Sequence, residues 1–569
     1  MRVLRDDDVG VGEAETDAGS PTRWFSFHPD PATYRHLRYE LRDRVAVVEL
    51  AIDEEAPFVP GYRLKRRSYD LGVDIELADL TERLRLEHPE VAAVVLTGGA
   101  DGVFCAGANI GMLASSSHPF KVNFCRFTNE TRNAIEDAAR YSGQPWISEL
   151  AGAASGGGYE LALATERILL VDDGNAAVSL PEVALLGVLP GTGGLTRLVD
   201  KRCVRPDLAD VFATRVEGIK GATARDWGLV DEVVPRRQLR HRVEEVAAEL
   251  VARSHRPPTG PGLELPALEP RRGVGMLELP WVRASWGEAS RVATVVLSGP
   301  DRAPATLAEL IAEGGDSWAV ACARQFDEIL LELRFGALEV GTLVLRSEGS
   351  AAVLAEVDQL LHAARGHWLT EEILGLWRRV LRRLDATPRS LFALLEPDSC
   401  WAGPLAEVPL AADRSYLLDA RGAGLGEGAI WLGMTSDGVA RTDAGLTRLE
   451  RRFRGDAAAV AEAKAAIGRA VGADEAAALG LVTFVVDELD WEDELRLALE
   501  ERAGISPDAL TGMEANLRAG GPETVATKTF GRLSAWQNWV FARENATGPG
   551  GALRRYGTGE RPAFDWRRT

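Results

Sequence analysis

The sequence predicts a layered α/β protein built from two related halves, and three observations carry this prediction. Strand-like and helix-like stretches alternate in the first half of the chain. A segment rich in proline and glycine interrupts the chain after residue 254, and the second half then repeats motifs of the first. With 569 residues, the chain is long enough for several hydrophobic cores, and its length alone leads us to expect about four domain-sized units.

The alternation is clearest near the start of the chain. Segments 45–52 (VAVVELAI) and 91–97 (VAAVVLT) have the apolar, β-branched composition of buried strands. Between them Leu77, Leu80 and Leu84 recur at the three- and four-residue spacing of a helix. Strand–helix–strand order favours α/β layers, although this pattern alone leaves a Rossmann-like fold equally open.

Composition changes mark the expected boundaries. Residues 1–20 are predicted to be an acidic disordered tail. Residues 255–276 are predicted to be a linker, because His255–Gly275 holds five prolines and four glycines in 21 residues. The sequence therefore divides into a first unit at 21–254, a second unit at 277–500 and a helical C-terminal extension at 501–569.

The second unit repeats the first in order. At an offset of 247 residues, Gly156 falls on Gly403 and Glu160 falls on Glu407. At offsets of 251 to 252 residues, GGLTRLVDKR meets AGLTRLERRF and GATARDWGLVDEVV meets GADEAAALGLVTFVV. Ordered matches whose offset drifts slowly indicate two copies of one domain.

Charge and cysteine content exclude several classes of function. The chain has 65 basic and 85 acidic residues and a formal net charge of −20, which argues against nucleic-acid and anionic-membrane binding. Its five cysteines form no CxxC pair, and no apolar run approaches the 18 residues of a membrane span. The acidic first residues do not resemble a signal peptide. We therefore expect a soluble, cytoplasmic protein.

Two loops in the first half have the composition of an oxyanion hole. FCAGANI (Phe104–Ile110) follows a buried strand, and ASGGGYE (Ala154–Glu160) leads from a strand into a helix. Glycines let the backbone approach a ligand, and two N–H groups converging on one oxygen stabilise an enolate or tetrahedral oxyanion. The alternative is that the glycine triplet only permits tight helix–sheet packing.

Four motifs in this order resemble the crotonase (enoyl-CoA hydratase/isomerase) superfamily: FCAGAN, GGGYE, SLPEVALLGVLPGTGG and GxxAxxxGLVDEV. The resemblance implies tandem lobes of a repeated ββα spiral, with a CoA thioester whose carbonyl meets the N–H groups of Ala108 and Gly157. It also implies that Glu160 and Glu182 carry out proton transfer. Asn109 departs from the aspartate of many members, so we expect no acid–base role at that position.

Longer stretches are similar to one family within this superfamily, the benzoyl-CoA-dihydrodiol lyases. They include SYDLGVDIEL, SSSHPFKVNFCRFTNETRN and GRLSAWQNWVFARENATG, and the similarity extends from about Trp24 to Thr569. This resemblance implies hydrolytic ring opening of 2,3-epoxy-2,3-dihydrobenzoyl-CoA, with Cys125 joining the two glutamates. It also implies a homodimer, and a reaction that needs neither metal nor other cofactor, CoA being part of the substrate.

The residue chemistry is compatible with that reaction. Two carboxyl groups in one desolvated pocket can hold different protonation states. One can then act as the base that activates a water molecule while the other donates a proton. Each candidate also has a structural alternative. Glu160 could compensate a helix dipole, Glu182 could be a solvated loop acid, and Cys125 could be a small buried hydrophobe.

A basic run offers a site for the anionic CoA. Arg63, Lys65, Arg66 and Arg67 lie within five positions and are predicted to meet its phosphates, with a solvated basic loop as the alternative. His118 in SSSHPF is expected to have a structural role near the pocket.

The second copy is predicted to be a degenerate lobe with a structural role. Gly157 aligns with Pro404, which has no N–H to donate. Glu407 remains opposite Glu160, but the Ala-Gly-Ala turn has no counterpart. In the extension, five apolar residues at helical spacing predict a packing face: Phe530, Leu533, Trp536, Val540 and Phe541.

Two other functions remain open from the sequence. An ordinary enoyl-CoA hydratase/isomerase would use the same two glutamates on another acyl-CoA, although one lobe would suffice for it. A catalytically silent acyl-CoA-binding scaffold is the second alternative, and the intact motifs of the first half argue against it.

Overall fold

The computed structural model describes residues 25–99, 102–287 and 291–569. The predicted acidic tail, residues 1–20, lies outside the described residues. Each half of the chain contains a central sheet. Over the described ranges, no helix combines the length and apolarity that crossing a membrane requires.

The first half contains one six-stranded sheet and a smaller four-stranded sheet. Its strands are β1 Leu37–Arg42, β2 Val45–Leu50, β3 Ser68–Tyr69, β4 Ala93–Thr97, β5 Val103–Cys105, β6 Gly107–Ala108, β7 Trp146–Leu150, β8 Ala153–Ser155, β9 Arg167–Asp172, β10 Ala177–Ser179, β11 Ile219–Lys220 and β12 Glu232–Pro235. Its helices are α1 Leu71–Leu86, α2 Ile110–Ser115, α3 His118–Tyr141, α4 Gly157–Ala164, α5 Gly194–Thr196, α6 Pro206–Thr214, α7 Gly221–Asp226 and α8 Arg236–Arg253.

The second half is built around a nine-stranded sheet. Its strands are β13 Arg271–Gly273, β14 Met276–Glu278, β15 Val282–Trp286, β16 Val292–Ser298, β17 Thr342–Glu348, β18 Ser390–Leu395, β19 Arg414–Ala420, β20 Gly426–Glu427, β21 Ile430–Trp431, β22 Ala470–Val471 and β23 Phe484–Asp487. Its helices are α9 Leu307–Glu313, α10 Trp318–Gly336, α11 Ala351–Ala363, α12 Trp368–Asp385, α13 Glu407–Ala411, α14 Arg448–Phe453, α15 Ala457–Ala465, α16 Ala473–Ala478 and α17 Trp491–Ala503.

The two main sheets have the same topology over six strands. In the first, an antiparallel hairpin β1–β2 is followed by parallel pairs in the order β2-β4-β7-β9-β12. In the second, the antiparallel pair β15–β16 is followed by parallel pairs in the order β16-β17-β18-β19-β23. The local backbone conformation also agrees at the aligned motif, because Gly156 and Gly403 both have φ of 53°.

The proline-rich segment is ordered against both halves. Over residues 254–270 it contains no helix or strand. Its Leu263 N–H donates to the Leu86 carbonyl (2.8 Å), and the Arg256 guanidinium pairs with Glu372 of the second half (2.8 Å). The second sheet begins immediately afterwards, at Arg271.

Four long helices form the junction between the halves, α1 and α3 from the first and α10 and α12 from the second. The junction buries charged side chains as well as apolar ones. Glu130 on α3 accepts both guanidinium nitrogens of Arg334 (2.8 and 2.9 Å) and also pairs with Arg383. Arg383 in turn reaches Asp327 at 2.5 Å. Paired and desolvated charges of this kind fix the orientation of the two halves.

The C-terminal extension folds back over the second half. Its helices are α18 Pro507–Arg518, α19 Val525–Lys528, α20 Ser534–Phe541, α21 Glu544–Thr547 and α22 Ala552–Arg555. The predicted apolar face divides into two parts. Trp536 and Val540 pack over Gly512 of α18, whereas Phe530 is 77% exposed, Leu533 50% and Phe541 54%.

Candidate active site

The two glycine-containing loops of the first half meet in space. A methyl group on Gly107 would lie 2.8 Å from the nitrogen of Gly157, so no side chain fits between the loops. Gly107 also has φ of 90°, which glycine adopts without strain. The sequence 105–109 can therefore pass directly beside the start of α4 only because residue 107 is glycine.

The backbone N–H groups of Ala108 and Gly157 lie on the two segments that meet at Gly107. Short parallel strands β3 and β6 pair Tyr69 with Ala108, and the Asn109 N–H donates to the Tyr69 carbonyl (2.8 Å). Because successive N–H groups of a strand alternate in direction, the Ala108 N–H is directed away from β3. Gly157 is the first residue of α4, where an N–H has no acceptor within the helix.

The glycine triplet also has the packing role that we gave as its alternative. A methyl group on Gly158 would overlap the Cys105 carbonyl of the neighbouring strand. Gly156 occupies the positive-φ turn that ends β8 and opens α4. The triplet thus permits close helix–sheet packing and exposes the helix start at the same time.

Glu160 lies on the first turn of α4 and is 2% exposed. Its Oε1 accepts the N–H groups of Thr192 (3.0 Å) and Gly194 (2.7 Å), and its Oε2 accepts the Thr192 hydroxyl. Three donors therefore converge on this one carboxyl group. Its position on the first turn of α4 is also the position that the helix-dipole alternative requires.

Glu182 has the opposite environment. It opens a single π-helical turn, Glu182–Leu186, and its Oε2 is buried without a hydrogen-bond partner among the described residues. Burial, and after it the charge of the neighbouring Glu160, raise the pKa of Glu182 to about 7. At 9% exposure it is not a solvated loop acid. Its Oε1 would lie 2.7 Å from a methyl group on Gly156, which places the carboxyl group beside the start of α4.

Cys125 faces the same region from α3. Its Sγ would lie 3.5 Å from a methyl group on Gly191, just before the segment that holds Glu160. Asn129, one turn further along α3, donates to the carbonyls of both Cys125 and Gly191 (3.0 Å each). Burial raises the pKa of Cys125 to about 11, with Glu160 as the next cause, so the thiol is protonated at neutral pH.

The basic run lies next to the oxyanion loop, joined to it through Asn109. The Asn109 amide donates to the Arg63 carbonyl (2.7 Å), while its Oδ1 caps α2 by accepting the Met112 N–H (2.9 Å). Arg63 pairs with Glu55 at the surface, and Lys65 and Arg66 are exposed. Arg67 instead turns inward and donates to the Val103 carbonyl (2.7 Å).

His118 lies at the start of α3, against the C-terminal extension. Its ring stacks on Trp539 with centroids 6.2 Å apart. Burial lowers the pKa of His118, and the adjacent Arg543 lowers it further. These contacts are those of a packing residue.

Two residues of this region were not singled out from the sequence. Thr192 supplies two of the three donors to Glu160, and the motif PGTGG that contains it is the signal from which it could have been found. Tyr69 lies with its hydroxyl group against Gly157, and only the strand pairing of β3 with β6 brings it there.

The equivalent region of the second half is filled. Pro404 follows Gly403 at the position of Gly157, and Glu407 pairs with Arg448 (3.1 Å). Against Gly403 lies Asp358 of α11, whose carboxyl group accepts the Met434 N–H (2.7 Å). In the first half the same place, against Gly156, holds the Glu182 carboxyl group.

The chain is similar to one broad class of proteins over part of its length and to one family within that class over nearly all of it. The family model "Enoyl-CoA hydratase/isomerase" matches residues 68–257, the range that holds both loops, Cys125 and both glutamates. The first half is thus a crotonase-like α/β lobe. The whole chain is 48% identical over 543 residues to the benzoyl-CoA-dihydrodiol lyase of Aromatoleum evansii, covering 95% of this chain and 97% of that protein. The chain therefore belongs to the benzoyl-CoA-dihydrodiol lyase family, a group of crotonase-superfamily lyases.

Other matches cover a smaller part of the chain. It is 30% identical over 189 residues to the carnitinyl-CoA dehydratase of Citrobacter koseri, which covers 33% of this chain and 68% of that protein. Among solved structures, an enoyl-CoA hydratase of Geobacillus kaustophilus is 32% identical with a TM-score of 0.34, covering 38% of this chain and 75% of that one.

Proposed function

We propose that this site hydrolyses 2,3-epoxy-2,3-dihydrobenzoyl-CoA with opening of the ring, in aerobic benzoate degradation. The products are 3,4-dehydroadipyl-CoA semialdehyde and formate. The observation that carries the proposal is the pair of glutamates with opposite environments beside the closely packed segments of Gly107 and Gly157. Membership of the benzoyl-CoA-dihydrodiol lyase family supports the choice of substrate.

The proposed reaction balances with water alone. The seven-carbon acyl epoxide takes up two water molecules and divides into a six-carbon semialdehyde thioester and formic acid. No electrons are exchanged with another molecule, so the proposal includes neither a metal nor a redox cofactor.

The backbone N–H groups of Ala108 and Gly157 are proposed to hold the thioester oxygen. Ring opening next to the thioester moves electron density onto that oxygen, and fixed donors in a buried site stabilise the resulting charge. The positive end of α4 adds to this stabilisation, because Gly157 is its first residue.

Glu160 is proposed as the base and Glu182 as the acid of the epoxide-opening step. Three donors hold the Glu160 carboxyl group in place, and its Oε2 has remaining capacity to accept a proton from the attacking water. Glu182, with a pKa of about 7, carries a proton at slightly acidic pH and can deliver it to the epoxide oxygen. The two carboxyl groups exchange these roles as the second water adds and formate leaves.

Cys125 is proposed to position water in the pocket and not to attack carbon. With a pKa of about 11 the group is a thiol at neutral pH, and a thiol is a poor nucleophile. Its place against Gly191, beside the segment that holds Glu160, suits a residue that limits where water can enter.

The exposed members of the basic run are proposed to contact the CoA phosphates. Arg63, Lys65 and Arg66 lie on the loop that Asn109 ties to the oxyanion turn, which places positive charge beside the thioester site. Arg67 is proposed to support this loop from within, because it is bonded to the Val103 carbonyl.

The second half is proposed to be a degenerate crotonase-like lobe that supports the first. It repeats the sheet topology, while Pro404 stands at the position of Gly157 and the Asp358 carboxyl group stands at the position of the Glu182 carboxyl group. A homodimer remains part of the proposal. The interface between its subunits would include three exposed apolar residues of the extension, Phe530, Leu533 and Phe541.

One other activity has a specific observation in its favour. The enoyl-CoA hydratase/isomerase family model covers both glutamates, so hydration of another 2-enoyl-CoA is the competing function. Rapid turnover of crotonyl-CoA together with no formate from the epoxide would favour it.

The deciding experiment supplies enzymatically generated 2,3-epoxybenzoyl-CoA and measures formate and semialdehyde. We expect Glu160→Gln and Glu182→Gln each to lower kcat by at least 10²-fold while benzoyl-CoA binding changes little. The matched control is Glu407→Gln, which alters the equivalent glutamate of the second half and should retain turnover. Near-normal rates in a first-half variant would refute its assignment, and a large loss in the control would refute the degenerate lobe.

A further inference from the structure

Tyr69 places a hydroxyl group at the oxyanion site. A methyl group on Gly157 would overlap the Tyr69 hydroxyl oxygen, so this oxygen lies directly against the residue whose N–H is the second donor. Tyr69 is 2% exposed, and its hydroxyl group has no hydrogen-bond partner among the described residues. A buried hydroxyl group without a hydrogen-bond partner lowers the stability of the folded protein unless a ligand accepts its hydrogen bond.

The ring of Tyr69 is held so that the hydroxyl cannot turn elsewhere. Arg132 of α3 lies 5.1 Å from the ring centroid and is itself fixed by Asp74 (2.7 Å). The Phe124 ring, also on α3, lies 6.0 Å away. The Tyr69 backbone is paired with Ala108, the residue that carries the other donor. Backbone and ring together hold the hydroxyl against Gly157, while the Tyr69 backbone lies beside Ala108.

We propose that the Tyr69 hydroxyl is a third donor to the thioester oxygen, beside the N–H groups of Ala108 and Gly157. This inference rests on the proposed function, since it takes the ligand of the two N–H groups to be an acyl thioester. The Tyr69 hydroxyl would be a side-chain donor whose hydrogen bond to the thioester oxygen strengthens as negative charge develops on that oxygen.

The protonation state of Tyr69 agrees with a donor role. Burial raises the pKa of the phenol well above its ordinary value, and the nearby carboxylates Asp74 and Glu160 raise it further while Arg132 opposes the rise. The group therefore keeps its proton throughout the physiological range.

The test is Tyr69→Phe, which removes one oxygen atom and no hydrogen bond within the described protein. We expect kcat on the epoxide to fall about 10²-fold, the usual cost of one oxyanion donor, with little change in KM. Tyr416→Phe, at a buried tyrosine of the second sheet, is the control for losing a phenol and should keep its rate.

A spectroscopic readout separates a donor from a structural residue. Bound benzoyl-CoA, which does not react, should show a thioester C=O stretch at lower frequency than in water, and Tyr69→Phe should reduce that shift. Incorporation of 3-fluorotyrosine at position 69, which gives a more acidic phenol of nearly the same shape, should increase the shift. The fluorinated variant also tests the proposal if Tyr69→Phe folds poorly.

The outcomes for Tyr69 and for the proposed function are distinguishable. An unchanged C=O stretch and a kcat within threefold of wild type in Tyr69→Phe would overturn the third donor, whatever the substrate. If the wild type polarised benzoyl-CoA but released no formate from the epoxide, the proposed reaction would be wrong, while a reduced shift in Tyr69→Phe would still support the donor.

Discussion

Among the residues that the structure describes, none donates a hydrogen bond to the buried Oε2 of Glu182, whereas three donors bind the neighbouring Glu160. The difference lies in the backbone around them: the segment 192–194 directs two N–H groups at Glu160, whereas the turn that carries Glu182 directs none at its Oε2. Two identical side chains thereby have different hydrogen-bonding environments, and the pKa of Glu182 is raised to about 7.

This difference predicts how stability changes with pH. The pKa of Glu182 is about 7 in the folded protein against an ordinary value of 4.5, so the folded state binds this proton more strongly than the unfolded chain does. The associated stability is fully present below about pH 4.5 and is lost as pH rises through about 7. The loss amounts to at most roughly 3 kcal/mol for a shift of this size.

Glu182→Gln cannot ionise and should not show that loss. We expect the melting temperature of the variant, relative to wild type, to rise between pH 5 and pH 8.5, measured by calorimetry at constant ionic strength. A difference between the two proteins that stays constant over this range would contradict a proton held by Glu182. The same titration predicts that kcat falls as pH rises through about 7, because the acid loses its proton.

Single residues also mark what could be learned from the sequence. Ala108, Gly157, Glu160 and Glu182 could be proposed from the sequence because each lies in a motif that resembles the crotonase superfamily. Tyr69 could not, since its relation to Gly157 arises from a two-residue strand pairing that no periodicity reveals.

At the scale of elements, the site depends on how closely β6 approaches the start of α4. The approach leaves no room for a side chain at Gly107, where an added methyl group would also lie 2.8 Å from the Ser155 carbonyl oxygen. A shift of the loop by even 1 Å would separate the two donors from a common acceptor.

Gly107→Ala tests this closeness. We expect kcat to fall by at least 10²-fold while the protein stays folded, with circular dichroism and formate release as the measurements. Gly102→Ala is the matched control, because Gly102 also has a positive φ (80°) but open space where a methyl group would go. Equal effects in the two variants would show that backbone strain, and not loop spacing, is responsible.

The alternation of strands and helices and the repeated motifs predicted the layered halves and their shared strand order. These patterns did not predict the helix junction between the halves. Glu130, Arg334 and Arg383 have the composition of a solvated helix surface, yet they are partly or fully buried against one another between the halves. Charge patterns do not distinguish solvent from a complementary protein surface, because both satisfy the same groups.

At the scale of the whole molecule, both sides of this junction belong to one chain. A short tether gives its two ends an effective concentration on the order of millimolar, so dilution does not separate them. The tether, residues 254–270, is exposed at Pro258, Thr259 and Gly260, away from the buried contacts of Arg256. Cutting the chain there should leave the junction itself untouched.

A specific protease site inserted between Thr259 and Gly260 therefore turns an intramolecular contact into a binding equilibrium. The cleaved protein should elute as one species at micromolar concentration and keep its rate of formate release, because the buried ion pairs and helices still hold the fragments. Separation on gel filtration would show that the tether, and not the junction, keeps the halves together. If the fragments remain associated, activity measured over serial dilution gives the affinity of the second half for the first, a quantity that the intact chain conceals.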